Sequence, residues 1–364
     1  MEKKYYAKTK EWLDEVTPQT NINQVYQEFY TNQIVRFKPP KGDPPQWVDW
    51  VKPLTYNIDQ KFDNAYVATV YNGSVWFDWT RNGRVYVMTP TLKLLRDMTF
   101  HLLWPYFNQE RIPTATYTHE TVAVIAWAGH KNYWHWLHDN LARFHLLELS
   151  GIKINKYLLP PIRYPYQWQT LQMLGIPRDK IIQLRPNMHL RAKKLVLPSV
   201  PFTIDTSVKW SIDYLRNSLL NENTVKNSDE YEKIYISRDD ASWRKVINEE
   251  RVIQILEKRG FKKVVLKNKS VQEQINIFNS AKYIIGTNGA GMSNIMFCKP
   301  GTKIIQLFTT TSDEFIKISN YLDLDFSFFK CNLAPPISRI HPVLNNMTID
   351  INKLIHTLDL LGIN

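Results

Sequence analysis

Between residues 132 and 143 the chain reads NYWHWLHDNLAR. Wound as a helix, His135, Asp139 and Arg143 recur every fourth position as one stripe. Trp136, Leu137, Leu141, Phe144 and Leu147 share a broad apolar arc beside it. A carboxylate one turn from an imidazole can hydrogen-bond to it and fix its tautomer, and an arginine one turn further on can polarise the carboxylate. That is the make-up of a proton-transfer unit. It is also the make-up of the polar face of an ordinary amphipathic helix, and spacing alone favours that blander reading. Asn132 is a good N-cap for the helix.

A second group, Ile285-Gly286-Thr287-Asn288-Gly289-Ala290-Gly291-Met292-Ser293-Asn294, follows an apolar run and precedes a helical stretch. Its glycines would let backbone approach a ligand, and the helix start would offer free N–H groups, an arrangement suited to phosphate. No Gly-Lys-Ser/Thr follows, so it is not a P-loop, and the spaced dinucleotide fingerprint is absent as well. A tight strand-to-helix turn would need glycine too. The third group is Ser237-Arg238 at a predicted strand end, followed by Arg244 and Asn248-Glu249 before a helix. Ligands of open α/β sheets bind at strand C-termini, which would place both arginines where a diphosphate could be held. Gln306, on a later strand, could offer its amide to a ribose hydroxyl; the alternative is a strand residue facing solvent.

The elements that must position these groups follow from periodicity. Residues 1–60 are irregular: Pro39-Pro40 and Pro44-Pro45 interrupt them, and Trp47 and Trp50 suggest a packed lead-in. Between 65 and 88, short β-rich runs are split by Asn72-Gly73 and Asn82-Gly83, which read as hairpin turns in a small meander. The pattern then alternates. Strands are predicted at 122–127, 157–159, 181–184 and 195–197, with helices at 132–149 and 167–174. A polar stretch at 221–229 marks the predicted boundary. Beyond it strands at 234–237, 263–266, 283–286 and 303–307 alternate with helices at 249–259 and 271–280, and 349–361 reads as a closing helix. Two tandem α/β units with parallel sheets imply two Rossmann-like domains facing a cleft.

Composition narrows the function classes. The 364 residues are 44% hydrophobic and 22% charged, which supports packed cores and excludes wholesale disorder. Two cysteines exclude a disulfide scaffold and a cysteine-built zinc site. No apolar run reaches the ~18 residues of a spanning helix. The first residues lack the apolar segment of a secretion signal, so the expectation is a protein of a reducing compartment. The net charge of +12 is scattered, with no basic tract or nucleic-acid motif, so nucleic acid is not an expected partner. Twelve Trp within a 13% aromatic content suit large cores and sugar-binding surfaces alike.

Taken together, NYWHWLHDNLAR, YISRDDASWRKVINEE and AKYIIGTNGAGMSNIMFCKPG resemble glycosyltransferase family 61, which includes plant xylosyl- and arabinosyltransferases. The matching stretches are 121–149 and 232–308, and their joint order is far more specific than any one block. The resemblance implies a GT-B fold and an inverting, metal-independent enzyme that needs no cofactor. It moves sugar from a nucleotide-sugar, usually a UDP-sugar, to a hydroxyl of a glycan or glycoconjugate. It implies an acceptor-side domain at 1–220 (lead-in and meander 1–118, Rossmann-like part 119–220). A donor domain at 230–345 and the closing helix at 346–364 follow. Asp139 is then the leading catalytic base with His135 as partner or alternate, and Arg143 and His138 lie on the acceptor side. Arg238, Arg244, Asn288, Gly289, Ala290, Gly291, Met292, Ser293, Asn294 and Gln306 bind the donor. The family usually has histidine at Asn288 and an acidic residue near Gln306, so this chain loses two titratable groups there. The implied setting is polysaccharide biosynthesis in the cytoplasm, with peripheral association at the membrane face. The rival reading is a non-catalytic protein that binds a nucleotide or glycan on the same fold. Asp323-Leu324-Asp325 spells a metal motif but lies far from the other blocks, and is read as chance.

Overall fold

The computed structural model describes residues 4–45, 47, 54–79, 83–99, 107–127, 129–201, 208–312, 314–338 and 341–363. Trp50 and Asn82 lie outside the described residues. The chain divides into two compact units, Met1–Ile34 with Lys61–Thr203 and Trp210–Leu215, and Val35–Gln60 with Ile204–Lys209 and Arg216–Asn364.

The ten-stranded sheet of the first unit includes β1 (Ala65–Tyr71), β2 (Ser74–Asp78), β3 (Arg84–Met88), β4 (Thr116–Val124), β5 (Lys156–Leu159), β6 (Ile181–Gln183) and β7 (His189–Pro198). A parallel core runs in the order β6, β5, β4, β7, and β7 continues antiparallel to β1 and β2. From β4 the chain winds outward through β5 and β6, then returns to the opposite side of β4 as β7. The sheet therefore has a topological switch point between the C-terminal ends of β4 and β7. Val122, Val124, Leu158, Leu195 and Leu197 are buried in one core cluster with Trp12 and Leu13 of the Thr9–Val16 helix. Each such side chain contributes about 1.5–3 kcal/mol on burial. The lead-in is thus more ordered than its prolines suggest.

The hairpin expected at Asn72-Gly73 does not form. β1 and β2 face β7 in one unbroken register, with Tyr71 opposite Lys194 and Ser74 opposite Arg191. Asn72 N–H donates to Lys193 O and Ala192 N–H to Gly73 O, both at 3.1 Å. Asn72 takes φ 56, a local kink within one long strand. The ten-residue β7 supplies ladder partners on both sides of the dipeptide, and tertiary pairing overrides the turn preference.

The helix after β4 begins as read: the Asn132 side chain accepts from Trp134 N–H at 2.9 Å. It then departs from α geometry. Trp136–Leu141 is a π-helical segment between α-helical Tyr133–His135 and Arg143–Ser150, and Gly151 at φ 64 ends it. The α1 helix (Pro165–Met173) follows β5.

The second unit holds β8 (Lys233–Ile236), α2 (Glu249–Lys258), β9 (Lys262–Val264), α3 (Val271–Ser280), β10 (Tyr283–Thr287), a 3-10 helix (Ala290–Phe297) and β11 (Lys303–Phe308). Then come α4 (Glu314–Tyr321), β12 (Asp325–Lys330) and α5 (Ile351–Leu360). Its sheet is parallel throughout, ordered β9, β8, β10, β11, β12. The switch point lies between β8 and β10. A reciprocal capping box between Ser270 and Glu273 starts α3. The two-residue strand Lys41–Gly42 adds to β12, Lys41 pairs with Asp325, and Asp43 accepts from Lys353 Nζ at 2.8 Å. Residues 35–60 accordingly group with the second unit, a correction to their expected place in 1–118. Among the described residues no helix is long and apolar enough to cross a membrane.

Candidate functional site

The switch point of the second unit brings together residues from two sequence blocks. Ser237 and Arg238 leave the end of β8, and Asn288 and Gly289 leave the end of β10. Arg238 Nε donates to Trp243 O at 3.1 Å. A Cβ on Gly289 would fall 2.0 Å from Arg238 Nη1. Gly289 is extended (φ −179), so a side chain there would have to displace the end of the Arg238 side chain. Arg244 Nη1 donates to Asn288 Oδ1 at 3.4 Å, and Asn288 Nδ2 donates to Ser312 Oγ at 3.4 Å.

Arg244 has φ +60, a strained conformation for an arginine. Its segment is strapped in place from outside the predicted site. Lys245 N–H donates to Asn346 Oδ1 at 2.9 Å, Ile247 N–H to Met347 O at 2.8 Å, and Asn248 Nδ2 to Ile349 O at 2.8 Å.

Neither arginine forms an ion pair with a carboxylate among the described residues, and the buried Arg244 Nε has no partner. Burial pushes the Arg244 guanidinium down to about 10, and the charge of Arg238 adds to that, against Glu314. Burial also lowers Arg238. Two desolvated cations that repel each other, beside a glycine loop at a switch point, form a site that an anion would stabilise. Beside them is a pocket of about 570 Å³ whose lining includes Arg238, Asp239, Lys245, Asn248, Arg251 and Lys263. Glu249 and Glu250 also line it, and Glu249 accepts from Tyr235 OH at 2.9 Å and Ser237 Oγ at 3.0 Å.

At the switch point of the first unit His135 Nδ1 and Asp139 Oδ2 are 2.7 Å apart. The His135 side chain is 32% exposed and that of Asp139 is 0% exposed. Burial raises Asp139, opposed by the His135 hydrogen bond and charge and by Arg143. His138 is buried with its ring 4.0 Å from that of Trp134, and neither of its nitrogens has a partner. Burial pushes His138 down to about 3, with His135 adding to the shift, so it is neutral.

Arg143 corrects the expected stripe. It is fully buried rather than acceptor-facing: Nε and Nη2 donate to Pro198 O at 3.0 and 2.6 Å, and Nη1 to Ile125 O at 3.1 Å. Those carbonyls stand at the C-terminal ends of β4 and β7, so Arg143 ties the two sides of the crevice together. Burial lowers it to about 9. The reason is burial on all sides: every residue from Trp136 to Phe144 is buried, so this stretch has no solvated face for Asp139 and Arg143 to occupy. Asp139 has no exposed surface with which to meet a substrate, and the exposed member of the pair is His135.

The donor-binding prediction divides similarly. Arg238, Arg244, Asn288 and Gly289 come together, with Ala290 and Gly291 following on. Met292, Ser293 and Asn294 are buried, and Asn294 Nδ2 is spent on Gln274 Oε1 at 2.8 Å and Gly291 O at 3.0 Å. Gln306 does not face solvent: it is buried in β11 with Nε2 donating to Thr311 Oγ1 at 2.7 Å, while its buried Oε1 has no partner among the described residues. Its strand register sets it beside Gly286, inside the sheet. Ser312, Glu314 and the 344–349 strap were missed, and no motif could have signalled them. Asp323 and Asp325 lie at the N-terminal end of β12, opposite to the ligand end of a parallel sheet, and Asp325 is occupied by Lys41.

The switch crevice of this parallel sheet thus presents two arginines without an ion-pair partner among the described residues, beside a glycine loop. The family model described as Glycosyltransferase 61 matches residues 133–305, so the resemblance carried by the three motif blocks is shown and this stretch is glycosyltransferase 61 sequence. The match contains the His135–Asp139 pair and the Arg238, Arg244 and Asn288 cluster. Curated proteins give no match. Among solved structures, the iron-containing dodecameric glycosyltransferase TibC of enterotoxigenic E. coli is 9% identical, covering 76% of this chain and 80% of that one with a TM-score of 0.29. A likeness that low carries no argument about fold or chemistry.

Proposed function

We propose that the protein is an inverting, metal-independent glycosyltransferase of GT-B type that uses a UDP-sugar and a hydroxyl acceptor on a glycan or glycoconjugate. The observation that carries this reading is the Arg238–Arg244 pair at the β8/β10 switch point, inside the family-matched region. The two guanidiniums and the Asn288–Gly291 backbone supply the charge that a departing diphosphate needs, which is the part a divalent ion plays elsewhere. On the acceptor side, the Nδ1–H tautomer that donates to Asp139 carries its lone pair on Nε2. The acceptor oxygen attacks the anomeric carbon, its proton passes to His135 Nε2, and the sugar C–O bond breaks with its electron pair leaving on the diphosphate. Asp139 orients the ring and stabilises the imidazolium. His135 thus takes the role that the sequence reading gave first to Asp139.

The reading is tested by incubating the protein with a panel of UDP-, GDP- and CMP-sugars and a set of oligosaccharide acceptors. Transfer or donor hydrolysis with a UDP-sugar, with inversion at the anomeric carbon, is the expected result. Tight UDP binding with no turnover of any donor would favour the non-catalytic binding protein instead.

A further inference from the structure

We infer that Gly129 and Asn140 are positioning residues that hold the His135 imidazole against Asp139, an inference resting on the reading of His135 as the proton acceptor. Gly129 has φ +80, and a Cβ built there would lie 2.9 Å from His135 Cγ, 3.0 Å from Cδ2 and 3.2 Å from Cβ. The ring occupies the space that any side chain at 129 would need, and the backbone conformation disfavours one in any case. Asn140 has no exposed surface, so its amide is committed to the interior. Its Nδ2 donates to His135 O at 3.0 Å and its Oδ1 accepts from Trp127 N–H at 3.1 Å. In the π segment the bonds reach one residue further, as from Ala142 N–H to Leu137 O, and the amide takes up the His135 carbonyl. Only an amide of this length gives a donor to one segment and an acceptor to the other at once; a carboxylate would set oxygen against oxygen.

The turn that carries Gly129 is held from its other side. Gln167, also buried, donates through Nε2 to His130 O at 3.1 Å and accepts at Oε1 from Arg163 N–H at 2.7 Å and Tyr164 N–H at 2.9 Å. Gly129 sets where the ring can lie and Asn140 sets the height of its backbone. Neither needs to touch a substrate. An error of about 1 Å in such a group costs on the order of 10²-fold in rate.

The test is an NMR reading of the His135 ring in the full-length protein labelled with ¹⁵N-histidine, on wild type, Gly129→Ala, Asn140→Asp and Asn140→Ser. Asp139→Asn serves as the calibrating loss of the carboxylate. Wild type is expected to show an Nδ1-protonated, hydrogen-bonded imidazole. Gly129→Ala and Asn140→Asp should lose that signature and lower kcat for transfer by about ten- to a hundredfold, with acceptor KM and UDP affinity within about twofold. Asn140→Ser, which shortens the side chain but keeps a donor, should lie between and serves if the other variants do not fold. An unchanged His135 signature in folded variants would overturn the inference, whatever their activity. A lost signature with wild-type transfer would uphold the positioning and instead overturn His135 as the base.

Discussion

Both units have a switch point between parallel strands and both put arginine there, yet the two environments are opposite. Arg143 is fully buried with its guanidinium spent on the carbonyls of Ile125 and Pro198, which stand on either side of the crevice it closes. Arg238 and Arg244 are only partly covered, lie close enough to disfavour each other's charge, and have no carboxylate partner among the described residues. The first arginine is a strut whose hydrogen-bonding capacity is met within the protein. The second pair keeps unspent charge facing a glycine loop, at a cost in stability that a bound anion would remove. The same residue type in the same topological place thus does structural work in one unit and is left without an ion-pair partner among the described residues in the other. Satisfaction of its donors tells the two apart, and motif letters do not.

The largest effect expected is on catalysis in the first unit. His135→Gln should lower transfer by about 10²–10⁴-fold and Asp139→Asn by less, with UDP affinity unchanged, in steady-state assays. Near-normal transfer by both would remove this unit from the chemistry. Next comes stability. Arg143→Met leaves two buried carbonyls unpaired and should cost roughly 2–5 kcal/mol in urea unfolding. Arg244→Met should stay within about 0.5 kcal/mol or gain slightly as repulsion is relieved. Equal losses would erase the contrast.

Acid should separate the units as well. His138, held neutral down to about 3 against an ordinary 6.5, binds its proton more readily in the unfolded chain. Its share of stability is complete above pH 6.5 and is lost as pH falls toward 3, on the order of 2–4 kcal/mol by pH 4. His130, lowered to about 4 chiefly by burial, adds in the same direction. His138→Phe should flatten the acid limb of the unfolding curve, and an unaltered limb would count against a neutral buried imidazole. The smallest effect is a null one: Asp323→Asn, and EDTA at millimolar concentration, should leave transfer unchanged. A chelator that abolished it, with Mn²⁺ or Mg²⁺ restoring it, would mean that the arginines do not suffice.

Much of this was legible in the sequence. The alternation of strands and helices located β5, β8, α3 and β10 closely, because apolar runs bounded by polar turns leave few alternatives. The glycine loop and Arg238 were readable because close backbone approach and strand-end placement are local properties. What could not be read is tertiary. Asp139 and Arg143 are enclosed because the helix that carries them is buried on every side from Trp136 to Phe144. Asn72-Gly73 was absorbed by a strand more than a hundred residues away. Arg244 N–H reaches Leu344 O in the 344–349 strap, and Gln306 is buried with its amide on Thr311. Each depends on a partner that no local pattern names.

The central claim is that the β8/β10 switch point is an anion site whose arginines are free to bind, and calorimetric titration of UDP tests it most directly. Wild type should bind UDP in the absence of divalent ions, and Arg238→Ala and Arg244→Ala should each weaken it by tenfold or more. That follows from about 1.5–3 kcal/mol for a charge-assisted contact to phosphate. Unfolding midpoints should stay at the wild-type value, and His135→Gln should bind as wild type does. UDP affinity unchanged in both folded arginine variants would contradict the account.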